Sequence, residues 1–470
     1  MRKRSLNRAA SGLSLLIVTG TIAWVAGDTI ARSGPKRESW QPTRLQSRVE
    51  THAALSADLF DRSGAVIARP RWIRDERGRV RAVVDRPLGR PMAAAGVGRS
   101  MVVPVGVQGG LSDVVRSEYE GVRPFEHPSP IIRAFVGDPV LTAPEMPAVT
   151  VTLDGELSER IFHLLPSAGR GSSAVVMAAT TGELYAVVDS PGADVSRDAV
   201  PTGPQSLWAF LSANLPASTL KTMTAAWILM RRPQDAAIAC ECVGDRCWTR
   251  HGRVSGLEDA VVRSCDTWFR NESRRIEPES WMQFLLAAGI APVGIAGLPD
   301  SRLLLANRKP GVMQWPHAIG QQVWVSLVGL ATAYATVTST SGRLRPPSII
   351  AKLGDQPVGI AEGPEVVPPP VARRIRSILR TTATNGTAIA VNRTFSGHSA
   401  SGKTGTGEVE GATSDAVFVA LAPWDQPQWI VVVSVRGGGA GSSAGRIAGQ
   451  ILNLLPFGRE KGAARGGRQQ

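Results

Sequence analysis

A chain of 470 residues, 43% hydrophobic and 20% charged, has the composition of an ordinary globular protein and room for more than one domain. Its formal net charge is +14, and 46 of the 53 basic residues are arginine against 7 lysines. The arginines are scattered, with no stripe interleaved with aromatics, so the charge argues against a nucleic-acid partner; it suits an anionic membrane surface or polymer.

The N-terminus opens on Arg2, Lys3, Arg4 and Arg8, followed by an uncharged run from Ala9 to Gly27. That run approaches the roughly 20 apolar residues needed to span a bilayer, and its basic flank predicts a cytoplasmic N-terminus with the rest of the chain outside. The small residues of 23–27 also suit a cleavable signal; an uncleaved single-pass anchor over 9–29, after a basic tail over 1–8, is the favoured reading. Residues 30–147 read as a linker and a small β-rich domain. Within it, strand, turn and strand are expected around Asp61-Arg62-Ser63-Gly64, a short helix at 112–119, and a semi-rigid connector where six prolines fall between 124 and 147.

The main domain is expected over 148–456. A strand at 149–153 leads to a helix capped by Asp154, and a hairpin pairs 173–178 with 184–188. Helical patterns follow at 223–230, 257–263, 278–289, 322–337, 367–380 and 444–455, with two strong strands at 416–421 and 429–435. Residues 457–470 are a basic, Gly-rich tail.

Three short patterns carry chemistry. In Leu215-Pro216-Ala217-Ser218-Thr219-Leu220-Lys221, a serine precedes a lysine by three residues at the start of an apolar helical run. Residues three apart share a helix face, so Lys221 can take the proton of Ser218 if its surroundings lower its affinity for protons. An arginine could not, because it is effectively never deprotonated. Ser264-Cys265-Asp266 is the second pattern and Ser401-Gly402-Lys403-Thr404-Gly405-Thr406 the third. Each alone is common, since a helix-start serine is usually a cap and Ser-x-Asp usually a turn. As an ordered set behind an export signal they are specific.

The set Ser-x-x-Lys, Ser-x-Asp, Lys-Thr-Gly resembles that of penicillin-binding proteins and serine β-lactamases. The chain is most similar to the class B, penicillin-binding protein 2-like group. Asp61-Arg62-Ser63-Gly64, Thr181-Gly182-Glu183-Leu184 with Ser190-Pro191, His251-Gly252-Arg253-Val254, Ala318-Ile319-Gly320-Gln321, Asn385-Gly386-Thr387-Ala388 and Ala420-Leu421-Ala422-Pro423 fall in the order of that family. Departures are a pedestal region of only about 100 residues, Gln322 where the family often has glycine, and Ala416-Val417 where an aromatic is common.

The resemblance implies a mixed α/β (α+β) transpeptidase domain with an antiparallel five-stranded sheet flanked by helices, behind a membrane anchor and a shortened pedestal. It implies a peptidoglycan D,D-transpeptidase that forms a Ser218 acyl-enzyme with the D-alanyl end of a stem peptide and with β-lactams. Lys221 is then the base, Ser264 the proton relay, and Lys403 the charge that keeps Lys221 neutral, with Asp266 orienting. The N–H groups of Ser218 and Thr406 form the oxyanion hole, and Thr404, Gly405 and Thr406 receive the substrate carboxylate. A membrane glycosyltransferase of the shape, elongation, division and sporulation family is the implied partner. Other readings are a D,D-carboxypeptidase, a serine β-lactamase, or a non-catalytic β-lactam sensor or scaffold.

Catalysis of this kind needs no cofactor, yet Cys240, Cys242, Cys247 and Cys265 lie within 26 residues and enclose His251. An exported chain favours disulfides, whereas the Cys/His mixture suits tetrahedral zinc; paired, metal-bound and free thiols all remain open. By resemblance Cys247, His251 and Cys265 are the better zinc ligands, with Cys240 or Cys242 as the fourth.

Overall fold

The computed structural model describes residues 58–74, 80–85, 87, 148–167, 171–191, 208–245, 247–295, 298, 300–397 and 399–457. The basic tail at 1–8, the anchor at 9–29, the helix expected at 112–119, the proline connector up to 147 and the tail after 457 lie outside them. Among the described residues, no helix is long and apolar enough to cross a membrane.

Strands β1 (Leu59–Phe60) and β2 (Val66–Arg74) form the expected strand, turn and strand, and β3 (Val80–Asp85) pairs with β2. Asp61 makes the turn: its Oδ1 accepts from the backbone N–H of Ser63 and Ala65 and from Ser63 Oγ. Its Oδ2 accepts from Gly155 N–H at 3.0 Å, the first residue of helix α1 (Gly155–Leu164), whose N-cap is Asp154 as expected. β1 also pairs in parallel with β4 (Val149–Val151). These strands thus share one sheet with the segment that opens the main domain.

The hairpin β5 (Ser172–Ala178) and β6 (Leu184–Ser190) is followed by a 3-10 turn, Ala217–Leu220, that runs directly into α2 (Lys221–Arg231). A short ribbon of β7 (Cys240–Cys242) and β8 (Gly252–Val254) leads to α3 (Leu257–Val262), α4 (Asp266–Ser273) and α5 (Pro278–Ala287). β9 (Leu304–Leu305) pairs across α6 (Trp315–Ala318) with β10 (Val323–Trp324). The helix expected from 322 therefore begins only at Leu327, as α7 (Leu327–Val337). Val323 and Trp324 are taken by the ribbon, and Ser326 Oγ caps the helix by accepting from Gly329 N–H. β11 (Ile350–Leu353) pairs with β4 and with β12 (Gln356–Pro357), completing a six-stranded sheet of order β12-β11-β4-β1-β2-β3.

α8 (Pro369–Asn385) outruns the helix expected at 367–380, and α9 (Gly441–Leu452) starts and ends three residues earlier than the pattern suggested. Between them lie β13 (Ser401–Gly407), β14 (Asp415–Ala422) and β15 (Trp429–Val435). The implied five-stranded antiparallel sheet is present, ordered β13-β14-β15-β5-β6. Both faces are buried, which is why β15 reads as an apolar run from Trp429 to Val433. Val417, Val419, Leu421 and Val432 face the cluster containing α2 and α7, while Phe418, Ala420 and Val431 face α1 and α9. Each such side chain is worth about 1.5–3 kcal/mol of burial. All residues of α7 are buried, as expected of a helix apolar on every side. The edge strand β13 has only one strand neighbour, and α2 points its first turn at that edge.

Candidate active site

The site is built on the turn carrying Ser218. Ala217 takes a left-handed φ of 47°, and its N–H donates to Gly320 O at 3.0 Å. Thr219 Oγ1 donates to Pro216 O at 2.6 Å, and Tyr334 Oη donates to Thr219 O at 2.7 Å from inside α7. Loop 320, α7 and the turn's own threonine thus hold the half-buried Ser218 in place. The turn being 3-10, residues i and i+3 eclipse, which sets Lys221 directly behind Ser218 rather than offset along an α-helix.

Beneath the turn two fully buried lysines converge on one hydroxyl. Lys221 Nζ donates to Ser264 Oγ at 3.2 Å and Lys403 Nζ to the same oxygen at 2.9 Å. Lys221 Nζ also donates to Ser264 O at 2.9 Å and pairs with Asp266 Oδ1 at 2.5 Å. Ser264 reaches this position in a left-handed conformation, φ 56°, between α3 and α4. Burial pushes Lys403 well below the usual lysine range; the Lys221 charge adds to this, and Asp266 opposes it. Lys221 is paired with Asp266, and burial drives Lys403 toward neutrality.

Strand β13 forms the other wall. Thr404 O accepts from Lys403 Nζ at 3.1 Å and Thr406 O from Gln321 Nε2 at 3.1 Å, so both residues turn their backbone groups to the free edge. Gln321 Oε1 also accepts from Glu408 N–H at 3.4 Å. Thr404 Oγ1 donates to Thr387 Oγ1 at 3.0 Å, and Thr406 Oγ1 accepts from Gly441 N–H at 3.2 Å. Gly405 lies flat on the Ser218 turn: a Cβ there would stand 2.7 Å from Pro216 O. Ser218, Lys221, Ser264, Asp266, Lys403, Thr404, Gly405 and Thr406 are thus brought into one site. Gln321, Thr387 and Tyr334 join them and were not singled out from sequence as site residues. Gln321 and Thr387 sat inside quoted motifs, whereas the only signal for Tyr334 was a phenol in an apolar run, which when buried requires a hydrogen-bond partner.

Residues 172–453, more than half of the chain, match the family described as penicillin binding protein transpeptidase domain. The chain belongs to the penicillin-binding protein transpeptidase family. Penicillin-binding protein PbpB of Mycolicibacterium smegmatis is 26% identical over 357 residues, covering 65% of this chain and 54% of the relative. The chain thus spans about half the length of that curated relative. Two solved structures share the fold of this transpeptidase domain. Penicillin-binding protein 3 of Mycobacterium tuberculosis, complexed with aztreonam, is 20% identical with a TM-score of 0.66, over 85% of this chain and 94% of that one. Pseudomonas aeruginosa penicillin-binding protein 2 is 21% identical with a TM-score of 0.65, over 85% and 95%.

The transpeptidase domain carries a thiol cluster against its second motif. The ligand atoms of Cys242, Cys247, His251 and Cys265 all lie within 4.8 Å of one another. His251 Nδ1 is 3.4 Å from Cys242 Sγ and 3.5 Å from Cys247 Sγ, close to the roughly 3.6 Å that tetrahedral zinc with ordinary Zn–S and Zn–N bonds imposes. Asp266 N–H donates to Cys247 Sγ at 3.3 Å, and the Thr267 hydroxyl contacts Cys242 Sγ at 3.3 Å. A hydrogen bond from Cys265 lowers the Cys247 thiol, and the same contact raises Cys265. Of the two alternatives for the fourth position, Cys242 joins the group and Cys240 does not. Residues i and i+2 of a strand stand roughly 6.6 Å apart, so only one of the pair reaches the centre. All four cysteines are free thiols.

Proposed function

We propose that this chain is a serine-type peptidoglycan D,D-transpeptidase that cross-links stem peptides through a Ser218 acyl-enzyme and is acylated by β-lactams. The observation that carries the reading is the convergence of Lys221 and Lys403 on Ser264 Oγ behind the turn that bears Ser218. Lys403, driven toward neutrality, holds the Ser264 hydroxyl against Lys221. Lys221, as its neutral amine, accepts the proton of Ser218 as Oγ attacks the carbonyl of the terminal D-alanyl peptide bond. The tetrahedral oxyanion faces the N–H groups of Ser218 and Thr406. As the C–N bond breaks, the proton that Lys221 took from Ser218 passes through Ser264 Oγ to the departing D-alanine amine. An amine of a second stem peptide then attacks the ester, its proton returns to Ser218, and the new amide is the cross-link. Asp266 keeps Lys221 aimed at Ser264, and the Thr404 and Thr406 hydroxyls receive the terminal carboxylate.

The basic, then apolar N-terminus supports a single-pass anchor over 9–29 that holds this domain outside the cytoplasmic membrane, and a membrane glycosyltransferase is the proposed partner. The test is to react the full chain with a fluorescent penicillin, map the adduct by mass spectrometry, and offer two synthetic stem peptides. An adduct on the peptide containing Ser218 that persists for hours, with a cross-linked product, is expected. An adduct elsewhere refutes the nucleophile, rapid release of the adduct points to a β-lactamase, and hydrolysis without cross-linking to a carboxypeptidase.

We also propose that Cys242, Cys247, His251 and Cys265 hold a structural zinc. Such an ion would supply a closed tetrahedral tie between the β7–β8 ribbon and the residues flanking Ser264. Elemental analysis of the purified chain is expected to find one zinc. Chelation is expected to lower Tm by about 5 °C or more and to expose titratable thiols. Absence of zinc together with absence of free thiols would refute this assignment.

A further inference from the structure

Behind the site, on the side of the sheet away from β13, lies a buried polar group that the proposed mechanism does not use. Arg436, at the end of β15, is 6% exposed, and its guanidinium lies 4.0 Å from the centre of the Trp208 ring. Its Nη2 donates to Asn214 Oδ1 at 3.0 Å and lies 3.4 Å from Ser173 Oγ. Asn214 is 3% exposed; its Nδ2 donates to Trp208 O at 2.7 Å and to Leu211 O at 3.2 Å, and its backbone exchanges both hydrogen bonds with Val325. Asp189, 6% exposed on β6, sits directly opposite Ser173. Ser173, Arg436 and the backbone of Trp208 and Ala209 lie near enough to favour its carboxylate, while its Oδ1 is buried with no hydrogen-bond partner among the described residues. Arg436 therefore grips segment 208–214 through the Trp208 ring and Asn214, and the opposite charge of Asp189 lies against the backbone of Trp208 and Ala209. Four residues after Asn214 stands Ser218.

We propose that Arg436 and Asp189 are positioning residues for the nucleophile: they clamp segment 208–214 so that the Ser218 turn stands at attack distance over Lys221. Burying two charged side chains is costly, and the contacts of Arg436 on the Trp208 ring and Asn214 give that cost a purpose. Ser173 and Ser434, neighbours across β5 and β15, keep the same interior polar without charge. The inference rests on the acyl-enzyme reading, because positioning matters only if Ser218 attacks. It also carries a pH signature. Among the described residues the charge facing Asp189 is that of Arg436, and burial raises the Asp189 carboxyl to about 6 against the pull of Ser173, Arg436 and the nearby backbone. Below that pH the carboxylate is lost, its attraction for Arg436 and the backbone of Trp208 and Ala209 weakens, and the turn loosens.

The experiment measures acylation of the full chain by a fluorescent penicillin, separating the rate constant k2 from the Kd of the preceding complex, between pH 5 and 8. For Arg436→Gln, k2 is expected to fall roughly 10- to 100-fold with Kd within about twofold, because a misplaced nucleophile slows attack without spoiling recognition. Arg436→Lys, which keeps the charge but not the planar fork, is expected to recover part of k2. In wild type k2 falls as pH drops through about 6; in Asp189→Asn it is expected to be low at pH 8 and to lack that step. A folded Arg436→Gln with wild-type k2, a loss confined to Kd, or a step near pH 6 that persists in Asp189→Asn overturns the proposal. Asp189→Asn is isosteric and decides the matter alone if Arg436→Gln does not fold. If wild type itself forms no Ser218 adduct, the acyl-enzyme reading fails first and this inference with it.

Discussion

Replacing Lys403 with methionine is expected to abolish acylation of Ser218 while raising thermal stability. Lys403 is fully buried, its ammonium faces Lys221 across Ser264 Oγ, and its pKa is pushed well below 10.5, mainly by burial. The unfolded chain therefore binds a proton at this position over the whole window between the depressed folded value and 10.5. Stability contributed by Lys403 rises with pH across that window and is at its worst below it. Methionine fills the same space without a charge, so the Lys403→Met gain is expected to be largest at neutral pH and to shrink toward pH 10. Replacing buried charges by apolar groups stabilises by about 1–4 kcal/mol in favourable cases, which sets the scale. Loss of the amine that holds Ser264 Oγ against Lys221 is expected to cut acylation by about 10²–10⁴-fold. Thermal unfolding at pH 7 and pH 9, with penicillin labelling beside it, tests both halves. Ser218→Ala serves as the companion, losing the label through loss of the nucleophile with Tm unchanged. A Lys403→Met variant that labels normally, or that is less stable at both pH values, would contradict the assignment.

The second large effect is expected at Gly320. Its φ is +78°, and a Cβ there would stand 2.1 Å from Ala217 O, the carbonyl one residue before the nucleophile. Gly320→Ala therefore carries the strain of a left-handed alanine, about 1–2 kcal/mol, and a collision that only movement of the Ser218 turn relieves. Gly311 is the control: its φ is +70°, and nothing lies within 4 Å of its missing Cβ. Both variants are expected to lower the urea midpoint by a comparable strain term. Only Gly320→Ala is expected to lose acylation as well, by about 100-fold, through misplacement of Ser218. Equal labelling by the two variants would show that the contact between loop 320 and the turn does not set the nucleophile.

The same close packing explains why Gly405 stands where it does. The edge strand lies against Pro216 and Ala217, and a side chain at 405 would hold it off the Ser218 turn; in the proposed mechanism that contact lets Thr406 N–H and Ser218 N–H face one oxyanion. The geometry also clarifies Gln321. Its carboxamide bridges Thr406 O and Glu408 N–H on the free edge of β13, the groups that an added strand of substrate would use.

Sequence by itself determined what neighbouring residues decide among themselves. Asp61 folds its own turn through hydrogen bonds two and four residues on, and Asp154 caps α1 three residues on. The valines of β15 declare a strand buried on both faces, and the three motifs, read in order, declare the family. Tertiary structure decided whatever depends on distant partners. Lys221 reaches Ser264 from 43 residues away and Lys403 reaches it from 139, and no spacing rule brings the three together. The depressed proton affinity of Lys403 likewise comes from burial, a product of the packed core. Val323 and Trp324 fit a helical pattern but pair with Leu305 and Leu304, because a ribbon partner outweighs a weak local preference. Cys240 and Cys242 are equivalent in spacing, and only the fold brings Cys242 against Cys247, His251 and Cys265. The clamp of Asp189 and Arg436 was invisible for the same reason: a buried charge declares itself only once the strands that bury it are side by side.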